Sequence, residues 1–337
     1  MLINRFFERG CDFLGVEYPL ICGAMTWVSD PQLVAAVSKA GGFGCLAGGN
    51  APVEILDQQI EETKKLTDKP FGVNLITIAP AYQEHIKLIE QKKLSHVIFA
   101  GSFPRKNEVE RVKATGAKVL CFASTLSIAK RMLRYGADAI ILEGMEAGGH
   151  VGHVSLTVLL QQVLFHLDKV PVFVAGGIAT GKMIAHMLLM GAAGVQMGTA
   201  FVMAEECCAH DNFKKVFKRA NARDAVSTPQ FDSRLPVVAV RGLRNKAMDE
   251  FKQLQLNLLN QMDKGTIHRT EAQEEVERFW MGALRSAVID GDTNKGSLMA
   301  GQSVGLAGDV RPVAQIIQEF VEEAETELEL IRNNLVE

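Results

Sequence analysis

The stretch EGMEAGGHVGH, residues 143–153, sets two glutamates and two histidines among four glycines. Histidine titrates ordinarily close to neutral pH, so His150 is a candidate to donate or accept a proton. The glycines let backbone approach a flat ligand and carry His150 over it. Glu143 projects from the residues that lead into the stretch. Glu146 is read as structural, pinning the loop's own amides, and His153 either bonds within the loop, faces solvent or shares the chemistry. Two further segments, AGGIATG (175–181) and GTAF (198–201), place glycines at predicted helix starts, where unpaired amides bind phosphate. The plainer alternative is that Gly176, Gly177, Gly181 and Gly198 only make tight turns.

These residues need elements to bring them together. Short apolar runs recur: YPLICGAM (18–25), GFGCLAGG (42–49), PFGVNLI (70–76), HVIFAG (96–101), KVLCFAS (118–124), DAIILEG (138–144), PVFVAGG (171–177) and GVQMGTAF (194–201). They are too apolar to alternate between core and solvent, which predicts strands buried on both faces. Helical patterns separate them; those at 30–41, 125–136 and 181–191 each stop at a glycine. The repeated unit predicts an α/β fold, a (β/α)₈ TIM barrel. An open dinucleotide-binding sheet fits less well, because the first strand ends in CGAM and not in GxGxxG. Barrel sites lie at the carboxyl ends of the strands. On that rule GAMT, GGN, Asn74, the 143–153 loop and both phosphate-loop candidates converge, with the last two adjacent in space. Beyond residue 202 the pattern changes. The expected organisation is a barrel core over 1–202, a helical appendage over the active site at 203–290, and a C-terminal segment, 291–337, packing back on the barrel.

Composition removes other classes. With 47% hydrophobic and 22% charged residues, the 337-residue chain reads as a packed globular protein. A formal net charge of −3 without a long basic cluster argues against nucleic acid or an anionic membrane as partner. The charged opening MLINRFFERGCDFLG and the lack of any run of ~18 apolar residues predict a cytoplasmic protein. Cys22, Cys45 and Cys121 lie in apolar runs, and no CxxC spacing occurs. Cys207–Cys208 is a weak redox candidate. His85, His96, His166, His186, His210 and His268 lack partners at metal-ligand spacing and read as structural, so no metal is expected.

The segments GAMTWVSDPQLVAAVSKAGGFG, DKPFGVNL, GADAIILEGMEAGGHVG, VPVFVAGGIATG and GVQMGTAFV together resemble the FMN-dependent barrel enzymes that include nitronate monooxygenase (2-nitropropane dioxygenase) and enoyl-[acyl-carrier-protein] reductase II. The resemblance covers nearly the whole chain and implies FMN as cofactor. By matching position it implies that Gly23, Ala24, Met25, Asn74, Glu143, Gly149, Gly176, Gly177, Gly198 and Thr199 hold the flavin, and that His150 is the active-site histidine. GSLMAGQ near the C-terminus is similar to the reductase pattern. RGLRN (241–245) is close to both, and His153 stands where many of the reductases have lysine. The favoured expectation is a reductase passing hydride from NADH or NADPH through FMN to an enoyl thioester in fatty acid synthesis. The alternative is oxidation of an alkyl nitronate with oxygen. A flavin-free barrel binding a phosphorylated ligand is the reading from another class. A small-molecule or carrier-protein-linked substrate and a homodimer are also expected.

Overall fold

The computed structural model describes residues 2–49, 51–235 and 237–336. Asn50 of the GGN segment lies outside the described residues. Eight parallel strands close into a barrel: β1 (Leu20–Cys22), β2 (Phe43–Ala47), β3 (Phe71–Ile76), β4 (His96–Ala100), β5 (Lys118–Phe122), β6 (Ala139–Glu143), β8 (Val172–Ala175) and β9 (Gly194–Met197), with β9 pairing back onto β1. Each lies within one of the eight apolar runs. The chain is therefore a (β/α)₈ barrel of the α/β class. Among the described residues, no helix is long and apolar enough to cross a membrane.

Side-chain alternation along the strands explains how they build a site. Ala139 and Ile141 of β6 pack in the barrel's inner cluster, whereas Ile140 and Leu142 pack outward against helices. Glu143 continues the inward series at the carboxyl end of β6. By the same alternation, Val73 and Leu75 point outward and Asn74 inward, and Val195 and Met197 point outward and Gln196 inward. The opposite end is plugged: Leu14, at the end of the N-terminal helix Ile3–Leu14, joins the inner cluster with Phe43 and Phe173.

Two features of the organisation stand out. First, residues 1–202 hold all eight strands of the barrel but do not complete its ring of helices. Its eighth outer helix is Val313–Val336, which packs against the helix Gly181–Leu189 so closely that a Cβ on Gly181 would lie 2.3 Å from the Phe320 carbonyl oxygen. The chain between Thr199 and Pro312 is thus an insertion between the eighth strand and the eighth helix. Its ends meet where Glu205 N donates to the Arg311 carbonyl and Arg311 N to that of Met203. Second, the 203–290 region is not purely helical. It adds β10 (Ala225–Ser227) and β11 (Ala239–Leu243), and β11 pairs with β7 (Gly149–Val151) from the 143–153 loop. The long helices Lys246–Asp263 and Arg269–Val288 form a cap with its own core around Phe251, Val276 and Trp280.

Candidate active site

A cavity of about 500 Å³ opens at the carboxyl ends of the strands. Gly23, Ala24, Met25, Asn74, Glu143, Gly149, His150, Gly176, Gly177, Gly198 and Thr199 all line it. The first loop is held by Ser29, whose hydroxyl donates to the Gly23 carbonyl and accepts from Met25 N, both at 2.9 Å. Gly23 packs against Gln196: a Cβ there would lie 3.2 Å from the glutamine side chain. Gln196 lines the cavity too, although it was not singled out within its strand.

The 143–153 loop is fixed from three sides. Glu146 accepts from Leu156 N at 3.1 and 3.2 Å, capping the helix Leu156–Gln162, as expected of a structural role. Arg241, 4% exposed, donates through Nε to the Met145 carbonyl and through Nη1 to that of Ala225. The segment after Leu298 covers the loop at van der Waals distance: a Cβ on Gly148 would lie 2.6 Å from both the Ala300 carbonyl carbon and Gly301 N. Gln302 N bonds the Glu146 carbonyl and Gly301 N bonds Thr199 Oγ1. EAGGH and MAGQ are two walls of one structure, and glycine is needed because backbone meets backbone.

β7 presents His150 to the cavity opposite Glu277 of the cap, Nε2 to Oε1 3.9 Å. The cavity walls desolvate the ring and lower its pKa, and the Glu277 carboxylate opposes that shift. Glu143 is enclosed by protein, and the surface it retains faces the cavity. Burial with no neighbouring cation pushes its carboxyl up to about 8, so it is largely protonated at neutral pH. His153 is exposed and does not line the cavity.

Gly176 (φ 96°) and Gly177 (φ 73°) occupy left-handed conformations that favour glycine, and they turn the chain after β8 toward the cavity. Gly198 precedes the short helix Thr199–Val202. Gly181 departs from the phosphate-loop reading. Its amide donates to Glu323 Oε2 at 2.6 Å, and Thr180 caps the same helix through Met183 N, so the start of that helix is satisfied internally. Glu277, Gln196 and Arg241 escaped the sequence reading. Of these, Arg241 lay in RGLRN and Gln196 in GVQMGTAFV, segments that stood out for other reasons.

Elsewhere, His85 and His96 bond the carbonyls of Ala51 and Phe13, His186 pairs with Glu327, and the His210 ring accepts from Asn212 N.

The sequence profile of the nitronate monooxygenase family matches residues 8–86 and 76–323. The chain is 33% identical to a protein of Rhodococcus jostii (strain RHA1) named (3aS,4S,5R,7aS)-5-hydroxy-7a-methyl-1-oxo-octahydro-1H-indene-4-carboxyl-CoA dehydrogenase, covering 93% of this chain and 94% of that one. FabK from Thermotoga maritima superposes with a TM-score of 0.86 at 35% identity, over 97% and 98% of the two chains. Nitroalkane oxidase from Streptomyces ansochromogenes gives 0.80 at 26%, over 95% and 99%. The extent of the profile match and the identity to full-length relatives show that this chain is an oxidoreductase belonging to the nitronate monooxygenase family.

Proposed function

We propose that the chain is a flavin enzyme acting on the α,β-carbon pair of an acyl thioester, of the FMN- and NAD(P)H-dependent enoyl-[acyl-carrier-protein] reductase type. One observation carries this reading over nitronate oxidation. Among the described residues, no lysine or arginine lines the cavity, and its ionisable side chains are Glu143, Glu277 and His150. A nitronate is an anion, and desolvating it beside carboxyl groups without a cation is unfavourable. An enoyl thioester is neutral, and the wall of Val238, Trp280, Met281 and Leu284 suits an acyl group.

The lining also fits FMN. The bend at Gly176–Gly177 and the helix start at Gly198–Thr199 would hold the phosphate through backbone amides. Gly23–Met25, Asn74 and Gln196 would border the ring system, and neutral Glu143 would donate a hydrogen bond without bringing charge. When bound, the flavin supplies hydride transfer from nicotinamide to the thioester β-carbon. His150 would hold the proton that the α-carbon takes up, at the imidazole edge facing the cavity. The Rhodococcus relative, by its name a CoA-thioester dehydrogenase, favours a second reading: the same bond class worked in the oxidative direction.

Anaerobic absorbance of the purified protein tests both. The expected result is a yellow protein bleached by NADH or NADPH and recoloured by crotonyl thioester. Bleaching by a saturated acyl-CoA, but by neither nucleotide, would move the reading to the dehydrogenase. Bleaching by a nitronate alone, or a colourless protein that takes up no FMN, would overturn the proposal.

A further inference from the structure

Behind Phe103, a residue of the cavity lining, stands an arginine without an ionic partner. Arg131, in the helix Leu126–Tyr135 that follows β5, lies with its guanidinium carbon 5.1 Å from the centre of the Phe103 ring. Phe103, in the loop after β4, lines the cavity and is 40% exposed; Ile78 beside it, also in the lining, is 52% exposed. Among the described residues Arg131 makes no hydrogen bond or salt bridge, and its Nε is buried without an acceptor. By contrast, Arg111 pairs with Glu90, Arg234 with Asp232 and Asp263, Arg285 with Asp290, and Arg311 with Glu319.

A guanidinium held over an aromatic ring is pre-organised by it, and the Nη groups, unlike the buried Nε, remain for an anion. An exposed aromatic ring on the wall supplies an apolar surface along which a ligand can leave the cavity. In the barrel order, the helix that carries Arg131 follows β5, two strands from β8 and three from β9, so an anion held there would be separate from the one assigned to the flavin phosphate at the glycine turns.

We propose that Arg131, on its Phe103 platform, is an outer subsite for a phosphate ester, and that it takes the phosphorylated arm of the acyl thioester as that arm leaves the cavity. The inference rests on the thioester reading above. The same chemistry is offered by the pyrophosphate of a nicotinamide dinucleotide, so the test separates the two sources.

The experiment is calorimetric binding to the flavin-loaded protein, without turnover, using CoA, pantetheine and NADPH as probes. Wild type should bind CoA more tightly than pantetheine. Arg131→Gln should weaken CoA about tenfold, the size of one charge-assisted hydrogen bond, and leave pantetheine unchanged. Arg131→Lys, which keeps the charge but loses the planar fork, should fall between them. Raising salt should weaken CoA in wild type and much less in the Gln variant. Equal CoA affinity in wild type and Arg131→Gln would overturn the proposal. So would an equal loss for pantetheine, or a loss confined to NADPH. A wild-type protein that binds CoA through Arg131 yet neither reduces nor oxidises thioesters would keep the subsite and sink the thioester chemistry.

Discussion

His150 and Glu143 are ionisable groups in one cavity whose environments move them in opposite directions on the pH scale. Burial raises the carboxyl to about 8, which leaves it largely protonated near pH 7, while the cavity walls lower the imidazole and the Glu277 carboxylate opposes that shift. His150→Ala should leave the flavin bound and lower turnover by ~10²–10⁴, the usual contribution of a positioned acid or base. Unchanged turnover would remove the ring from the chemistry. Glu277 favours the charged form of that ring, so Glu277→Gln should lower the His150 midpoint further. Nitrogen-resolved NMR of the histidine side chains reads this directly, with the alanine variant providing the assignment. For Glu143 the folded-state midpoint, about 8, lies above the ordinary 4.5. Between those values the folded chain holds a proton that the unfolded chain has lost. Stability is therefore lost as pH rises through that window, by on the order of 1 kcal/mol per pH unit. Glu143→Gln should flatten that slope, giving a higher Tm than wild type at pH 8 and no difference near pH 5. A wild-type Tm independent of pH across the window would contradict a buried, protonated Glu143.

At the level of elements, glycines of one loop differ sharply in what they tolerate. Gly148 faces backbone atoms of Ala300 and Gly301 that cannot move aside as a side-chain tip would, whereas Gly152 has nothing within 4 Å of its Cβ position. Gly148→Ala should cost about 1–3 kcal/mol and loosen flavin retention, while Gly152→Ala should change stability by less than about 0.5 kcal/mol. Thermal melts of the two holoproteins make the comparison. The same contrast explains what could be read from the sequence. Barrel strands were legible because burial on both faces writes a continuous apolar run into the chain. His150, Glu143 and the glycine turns were legible because such residues at strand ends have few structural uses. β7 was not: three residues in a glycine-rich loop become a strand only because β11, some ninety residues later, supplies a partner. Glu277 lies on an amphipathic helix and reads as an ordinary polar face until the cap is folded over His150. Gly181 looked like a phosphate turn because Glu323, which takes its amide, comes from the far end of the chain.

For the whole molecule, the insertion and the closing helix make opposite predictions about deletion. The cap helices have a core of their own, and their two ends are already adjacent: the Asn245 side chain donates to the carbonyls of Thr293 and Gly296, and Ala247 N to that of Asn294. Replacing 247–288 by a short glycine-serine link should therefore leave the barrel folded, with a cooperative melt and bound flavin, because the glycine turns and the inward residues of β3, β6 and β9 remain. Turnover should fall at least as far as in His150→Ala, since the deletion removes Glu277 and the Trp280–Leu284 wall and opens the site to water. Removing 313–336 instead strips the eighth outer helix, exposes the apolar face of Gly181–Leu189, and leaves the Gly181 amide without Glu323. It also removes Glu325, which accepts from the amides of Leu2 and Ile3 and so ties down the helix that plugs the barrel's lower end. That chain should lose its cooperative transition and its flavin together. Circular dichroism melts and flavin absorbance of the two deletions decide the matter. A barrel that stays cooperative without 313–336 would mean that residues 1–312 hold enough core without it, and that the last helix only decorates the barrel.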